Sequence, residues 1–112
     1  MAVPSKQNLT MTRGDTESVV VTMTSDGTTP VDVTGRTYRA QIRITKDAAL
    51  VAATFACAIT DASGGEITCS MTAGDTAALT VGTHYWDFEE NNGGVVSTIL
   101  AGTVNVLADV TR

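Results

Sequence analysis

Apolar and polar residues alternate with a period of two through most of this chain, and no other feature limits the fold as strongly. In "RTYRAQIRI", Tyr38, Ala40, Ile42 and Ile44 fall on one face and Arg39, Gln41 and Arg43 on the other. A pleated strand sends successive side chains to opposite faces, so this run is predicted to be half-buried with its arginines outward. The same pattern places Ala53, Phe55, Cys57 and Ile59 together in "VAATFACAIT", and Ile67, Cys69 and Met71 together in "EITCSM". "VGTHYWDFEE" and "VVSTIL" continue it, and "GTVNVLADV" closes the chain with Val104, Val106, Ala108 and Val110 on one face. The connections carry turn chemistry: Asp26-Gly27, "KDAAL", "DASGG" and "NNGG", while Pro30 interrupts any regular ladder.

In "LTMTRGDTESVVVTM", residues 9–23, two alternating runs flank Arg13-Gly14-Asp15. Two such runs around a polar segment with a central glycine predict a β-hairpin, and the tripeptide reads as its turn rather than as an adhesion ligand. The strand pattern breaks once, at "TAGDTAALT". There Thr72 precedes Asp75 by three and Ala77, Ala78 and Leu79 favour helix, predicting a short helical turn near residues 72–80. The sum is about eight short strands without a long helix. The predicted fold is all-β: a single domain over 1–112, a two-sheet antiparallel β-sandwich of Ig-like type, with a small barrel as the other closure.

Twelve Asp and Glu against seven Lys and Arg give a net charge of −5, a field that repels a phosphate backbone. Arg36, Arg39 and Arg43 form only a small basic cluster, so nucleic acid is not expected as a partner. No apolar run approaches the roughly 18 residues of a membrane span. "MAVPSKQNLTM" lacks the basic start and apolar core of a signal peptide. Folding in a cytosol is therefore expected, with Cys57 and Cys69 reduced.

Candidate chemistry is sparse. His84 is the sole histidine and shares a face with Trp86 and Phe88, opposite Tyr85, Asp87 and Glu89, which suits a packed strand histidine better than a catalytic one. Ser18, Ser63 and Ser70 lie in no nucleophile-elbow context. If "DASGG" closes a hairpin, Ile59 opposes Ile67 and Cys57 opposes Cys69. The opposed β carbons would then lie about 4.5–5.5 Å apart, long for a disulfide, so two small core thiols are expected, with a bridge as the alternative. "DGTTPVD" and "TDASGGE" hold acids near glycines but lack calcium-loop spacing. "NNGG" precedes no helix, so it is not a phosphate loop. Glu89 and Glu90 are adjacent and point to opposite faces, which separates them as a carboxylate pair. No catalytic, cofactor-binding or metal-binding residue is assigned, and no enzyme or cofactor is expected.

Three segments carry a resemblance. "VDVTGRTYRAQIRI", "GGEITCSMTAGDTAALTVGTHYWDFEE" and "TILAGTVNVLADVTR" resemble, in order, small virion proteins of tailed bacteriophages, and the likeness extends over 31–112. In that family a Thr-Gly step leads into a strand ending Gln-Ile-Arg, and a Gly-x-Ile strand leads through a Thr/Ala turn to an aromatic strand ending Trp-Asp. The pattern closes with Val-Thr-Arg. It is similar to the N-terminal β-sandwich of phage upper baseplate proteins, which anchors receptor-binding parts to a tail. By position, Gly35 would open the Tyr38–Ile44 run and Gly82 the turn before Trp86 and Asp87. At His84 this chain departs from the aromatic, commonly Tyr, of the pattern.

The resemblance implies a structural virion protein, an adaptor in the tail, baseplate or fibre-attachment region. It would be located in the virion and, during assembly, in the host cytoplasm. Its partners would be other phage structural proteins and further copies of itself in a symmetric assembly, with no nucleic acid or membrane. A capsid decoration protein is the alternative within the virion. A carbohydrate-binding module using Tyr85 and Trp86 is an alternative of another class, although Trp86 lies on the apolar face.

Overall fold

The structure is a computed structural model that describes residues 5–25, 29–46 and 51–110. Among the described residues eight strands form: β1 (Ser5–Lys6), β2 (Leu9–Thr12), β3 (Glu17–Thr22), β4 (Thr37–Arg43), β5 (Ala53–Asp61), β6 (Glu66–Met71), β7 (Gly82–Asn92) and β8 (Val95–Leu107). Among the described residues one helix, α1, spans Ala73–Ala77, and Thr72 caps it by accepting from the Asp75 amide. The ladder runs β1-β8-β7-β4-β5-β6-β3, with β2 also on β8.

β5 belongs to both layers. Its Ala53–Phe55 portion pairs with β4, and from Ala56 onward it pairs with β6. The chain thus turns over on itself, barrel-like, into a large sheet (β1, β2, β8, β7, β4) and a small one (β6, β3). The faces predicted from alternation are those that turn inward: Tyr38, Ala40 and Ile42 of β4, Ile67, Cys69 and Met71 of β6, and Trp86 and Phe88 of β7 are buried. Phe55 packs tilted against Trp86, with ring centroids 5.9 Å apart, and Tyr38 stacks on Phe88 at 5.2 Å. Each such large side chain contributes about 1.5–3 kcal/mol through burial.

The predicted first hairpin does not form. β2 runs parallel to β8, Leu9 facing Val104, whereas β3 runs antiparallel to β6, Val19 facing Cys69. Arg13-Gly14-Asp15 is a turn, as expected, but it carries the chain from one layer to the other. β1 and β2 also add parallel pairing to an otherwise antiparallel fold. Two strand ends differ as well. β8 is one long strand from Val95, its register shifting by a bulge opposite Phe88 and Glu89, and it stops at Leu107. Ala108 and Val110 consequently lie outside the core, and Ile44, beyond the end of β4, is exposed.

Pro30 makes only an isolated bridge to Thr24, in keeping with an interrupted ladder. The predicted Asp26-Gly27 turn and most of the "KDAAL" connection lie outside the described residues. Gly65 closes the β5–β6 connection where a side chain could not fit: a β carbon there would sit 2.7 Å from the carbonyl oxygens of both Met23 and Val31.

Candidate functional site

The outward face of the large sheet forms a concavity of about 680 Å³. Cross-strand register builds it. On β4 and β7, Arg39 lies opposite Glu89, Gln41 opposite Asp87, and Arg43 opposite Tyr85; on β8, Ala101 and Thr103 continue the rows. Lys6 and Asn8 close one rim and Lys46 the other. Arg39 pairs with Glu89 at 3.3 Å, Arg43 donates to Gln41 Oε1 at 3.2 Å, and the Lys46 ammonium stands 5.6 Å from the Tyr85 ring centre. Burial, reinforced by the Glu89 charge, raises the Asp87 carboxyl above its ordinary range, and Arg43 and Arg39 oppose that shift. This face holds four cations and two acids, Asp87 and Glu89, on a chain of net charge −5. It is a local basic surface.

Tyr85 and Trp86 stand on opposite faces of β7, so they do not form one stacking platform. Trp86 is buried, and its indole Nε1 donates to the Gln7 carbonyl at 2.8 Å. Gly102, opposite Trp86 on β8, makes this reach possible, because a β carbon there would collide with that same carbonyl. His84 is 2% exposed, with Nδ1 3.3 Å from the Gly82 carbonyl and Nε2 3.3 Å from the Thr80 hydroxyl. A carbonyl only accepts, so in the neutral ring Nδ1 carries the proton and Thr80 donates to Nε2. The histidine is packed in the core, as its face predicts. Gly82, its hydrogen-bond partner, and Gly35 both take positive φ.

Glu89 and Glu90 do point to opposite faces, and the inward one was not singled out by sequence. Glu90 is 8% exposed, accepting from the Tyr38 hydroxyl at 2.7 Å and from Arg36 at 3.2 Å. Burial and the Glu90 carboxylate hold the Tyr38 phenol well above its ordinary value. The legible signal was a charged residue at an inward position of an alternating strand.

The adhesion-like tripeptide is tied down. Arg13 donates to the Ala77 carbonyl at 2.7 Å and approaches Asp109 at 4.0 Å. The Gly14 amide donates to Thr76 Oγ1, and the Thr76 hydroxyl donates to the Asp15 carbonyl. In the acidic segments, Asp32 accepts from the Thr34 amide and hydroxyl, and Asp61 from the Gly64 amide and the Ser63 hydroxyl. Those hydrogen bonds lower the Asp32 carboxyl. Among the described residues no group of three or more His, Cys, Asp or Glu is placed to hold a metal ion, and no helix is long and apolar enough to cross a membrane. A smaller hollow on the outside of the small sheet, lined by Glu17, Ser70 and Asp75 among others, contains a second raised carboxyl. Glu17 is shifted upward by burial and by Asp15. Cys57 and Cys69 face each other as the register predicts, both as free thiols.

These features define an all-β sandwich whose inward Glu90 and His84 are hydrogen-bonded to their neighbours and whose broad concavity faces outward. No family model matches the sequence, and no curated protein matches it. Among solved structures, the chain is similar to the N-terminal domain of ORF48 of phage TP901-1. The TM-score is 0.56 at 16% identity, covering 96% of this chain and 90% of that one. It is also similar to InlP of Listeria monocytogenes, with TM-score 0.44, 18% identity, and coverage of 92% of this chain and 26% of that one. A third structure is the extracellular fragment, with stalk region, of novel immune-type receptor 11 from Ictalurus punctatus, with TM-score 0.41, 10% identity, and coverage of 100% and 90%. The resemblance read from residues 31–112 thus holds at the level of fold, through the phage ORF48 domain.

Proposed function

We propose that this chain is a structural protein of a tailed phage particle, an adaptor in the tail, baseplate or fibre-attachment region that works through protein contacts in several copies. The observation that carries the reading is the shared fold with the phage ORF48 N-terminal domain over nearly the whole of both chains. The ordered sequence resemblance over residues 31–112 supports it independently. The reading is non-enzymatic: His84 has both ring nitrogens engaged in the core, and the carboxylates of Glu89 and Glu90 diverge. Contacts of about 800 Å² per partner would hold each neighbour, and symmetry would multiply them. The outward face of the large sheet offers such a surface.

Mass spectrometry of purified particles should find the protein in several copies, and immunogold labelling should place it on the tail. Label over the capsid shell would transfer the assignment to decoration. Absence from washed particles would end both.

A further inference from the structure

Cys57 and Cys69 are directly opposed across the β5–β6 hairpin, and their sulfur atoms lie 3.2 Å apart, joined by a hydrogen bond. A disulfide needs about 2.05 Å, so closing requires a shift of only about 1 Å shared between two side chains. The two thiols are not equivalent. Cys69 is fully buried, whereas Cys57 is half-buried on the half of β5 that has left β4. The hydrogen bond between the two thiols, with support from the Ala40 backbone, lowers the Cys57 thiol, and the same contact raises Cys69.

We propose that this pair is a built redox modification site, closing to a cross-strand disulfide when the folded protein meets a small-molecule disulfide. Cys57 is the attacking thiol and Cys69 the resolving one. The Cys57 thiolate attacks one sulfur of the small disulfide, forming a mixed disulfide and expelling one thiolate. Cys69 then gives up its proton to solvent or to that thiolate. Its sulfur attacks Cys57 Sγ and expels the second thiol. The balance is two protein thiols plus one disulfide giving one protein disulfide and two small thiols. Closure fastens β6 to β5, the strand shared by both layers. For a protein assembled in a reducing cytosol and later released into an oxidising medium, hardening would follow release. That timing rests on the virion reading above, but the chemistry does not.

The test uses the isolated full chain and oxidised glutathione as the probe, so its result is independent of where the protein works. Freshly prepared protein, alkylated after denaturation, should carry two labels. After exposure while folded, intact mass should show the loss of two hydrogens, and digestion should yield one peptide pair joined through Cys57 and Cys69. The Tm should rise by on the order of ten degrees, reversibly with reductant. Cys69→Ser should stop at a glutathione adduct on Cys57, while Cys57→Ser should leave Cys69 unmodified as long as the protein stays folded. Two thiols persisting in the treated wild type, or an adduct or intermolecular dimer without the internal bridge, would overturn the proposal.

Discussion

Thr76 has no exposed surface, yet its hydroxyl serves three backbone groups. It accepts from the Gly14 amide at 3.0 Å and shares its proton between the carbonyls of Asp15 and Ala73. A five-residue helix adds little stability by itself, so α1 acts chiefly by holding Thr76 against the β2–β3 crossover. Replacing Thr76 with Val keeps the shape and strands both crossover groups, and it should cost about 1–3 kcal/mol in urea denaturation. Thr76→Ser keeps the hydroxyl and should cost clearly less. Equal losses in the two variants would mean that the hydroxyl is not what holds the turn. Gly102 poses the steric counterpart. Gly102→Ala pushes against the Gln7 carbonyl and should destabilise by about 1–3 kcal/mol, as overpacking does. It should also release the Trp86 indole from its acceptor, which tryptophan emission would report as a shift to longer wavelength.

Along β4 and β7, two titrating groups give stability a pH dependence of known sign. Asp87 is raised in the folded state, so the folded protein binds its proton more tightly than the unfolded chain does. Its contribution is full below the unfolded value, about 4, and is lost as pH rises through the folded value. Asp87→Asn removes that loss, so between pH 4 and pH 7 its Tm should fall less, or rise more, than the wild type's. Parallel Tm profiles would contradict the shift. Tyr38 follows the same rule at alkaline pH: its contribution persists below about 10 and is lost as pH rises through its raised folded value. In a Tyr85→Phe background, ultraviolet titration should detect Tyr38 ionising only above the ordinary phenol range. Much of these strands was legible in sequence, because alternation alone assigns Tyr38, Ile42, Trp86 and Phe88 inward and Arg39, Asp87 and Glu89 outward. It even set Cys57 opposite Cys69, since a hairpin closed by "DASGG" admits little choice of register. The β2–β3 connection was not legible. Two alternating runs around a glycine turn look identical whether they pair together or diverge to different layers, and the choice is made by β8 and β6, far away in sequence. The Tyr38–Glu90–Arg36 cluster escaped for a related reason: a buried carboxylate is tolerable only once its distant donors are known.

At the scale of the whole molecule, the deciding feature is that the two layers share β5. Ala53–Phe55 lies in the ladder of β4, and the rest of the strand lies in that of β6, so neither layer can detach without breaking the other's pairing. The N-terminal strands tie the ends together, since β2 lies on β8, the last strand, and the turn after β2 is fastened to α1. A chain joined this way should unfold as one unit. Trp86 is the sole tryptophan and sits where β7, β8 and the Gln7 carbonyl meet, so its fluorescence reports the large sheet. Amide hydrogen exchange at Val19, Val21, Ile67 and Cys69 reports the small sheet. In urea, fluorescence and far-ultraviolet circular dichroism should trace one coincident transition, and the most protected amides of both sheets should exchange with the same global free energy. Because the pairings of β1 and β2 with β8, of β3 with β6 and of β4 with β7 are distant in sequence, refolding should take milliseconds to seconds rather than microseconds. Removing residues 1–8 should lower the midpoint while leaving a single transition, because β1 and the Gln7 acceptor are lost but β2 and the shared β5 remain. Two separated transitions, with the small sheet melting before Trp86 responds, would show that β5 does not couple the layers.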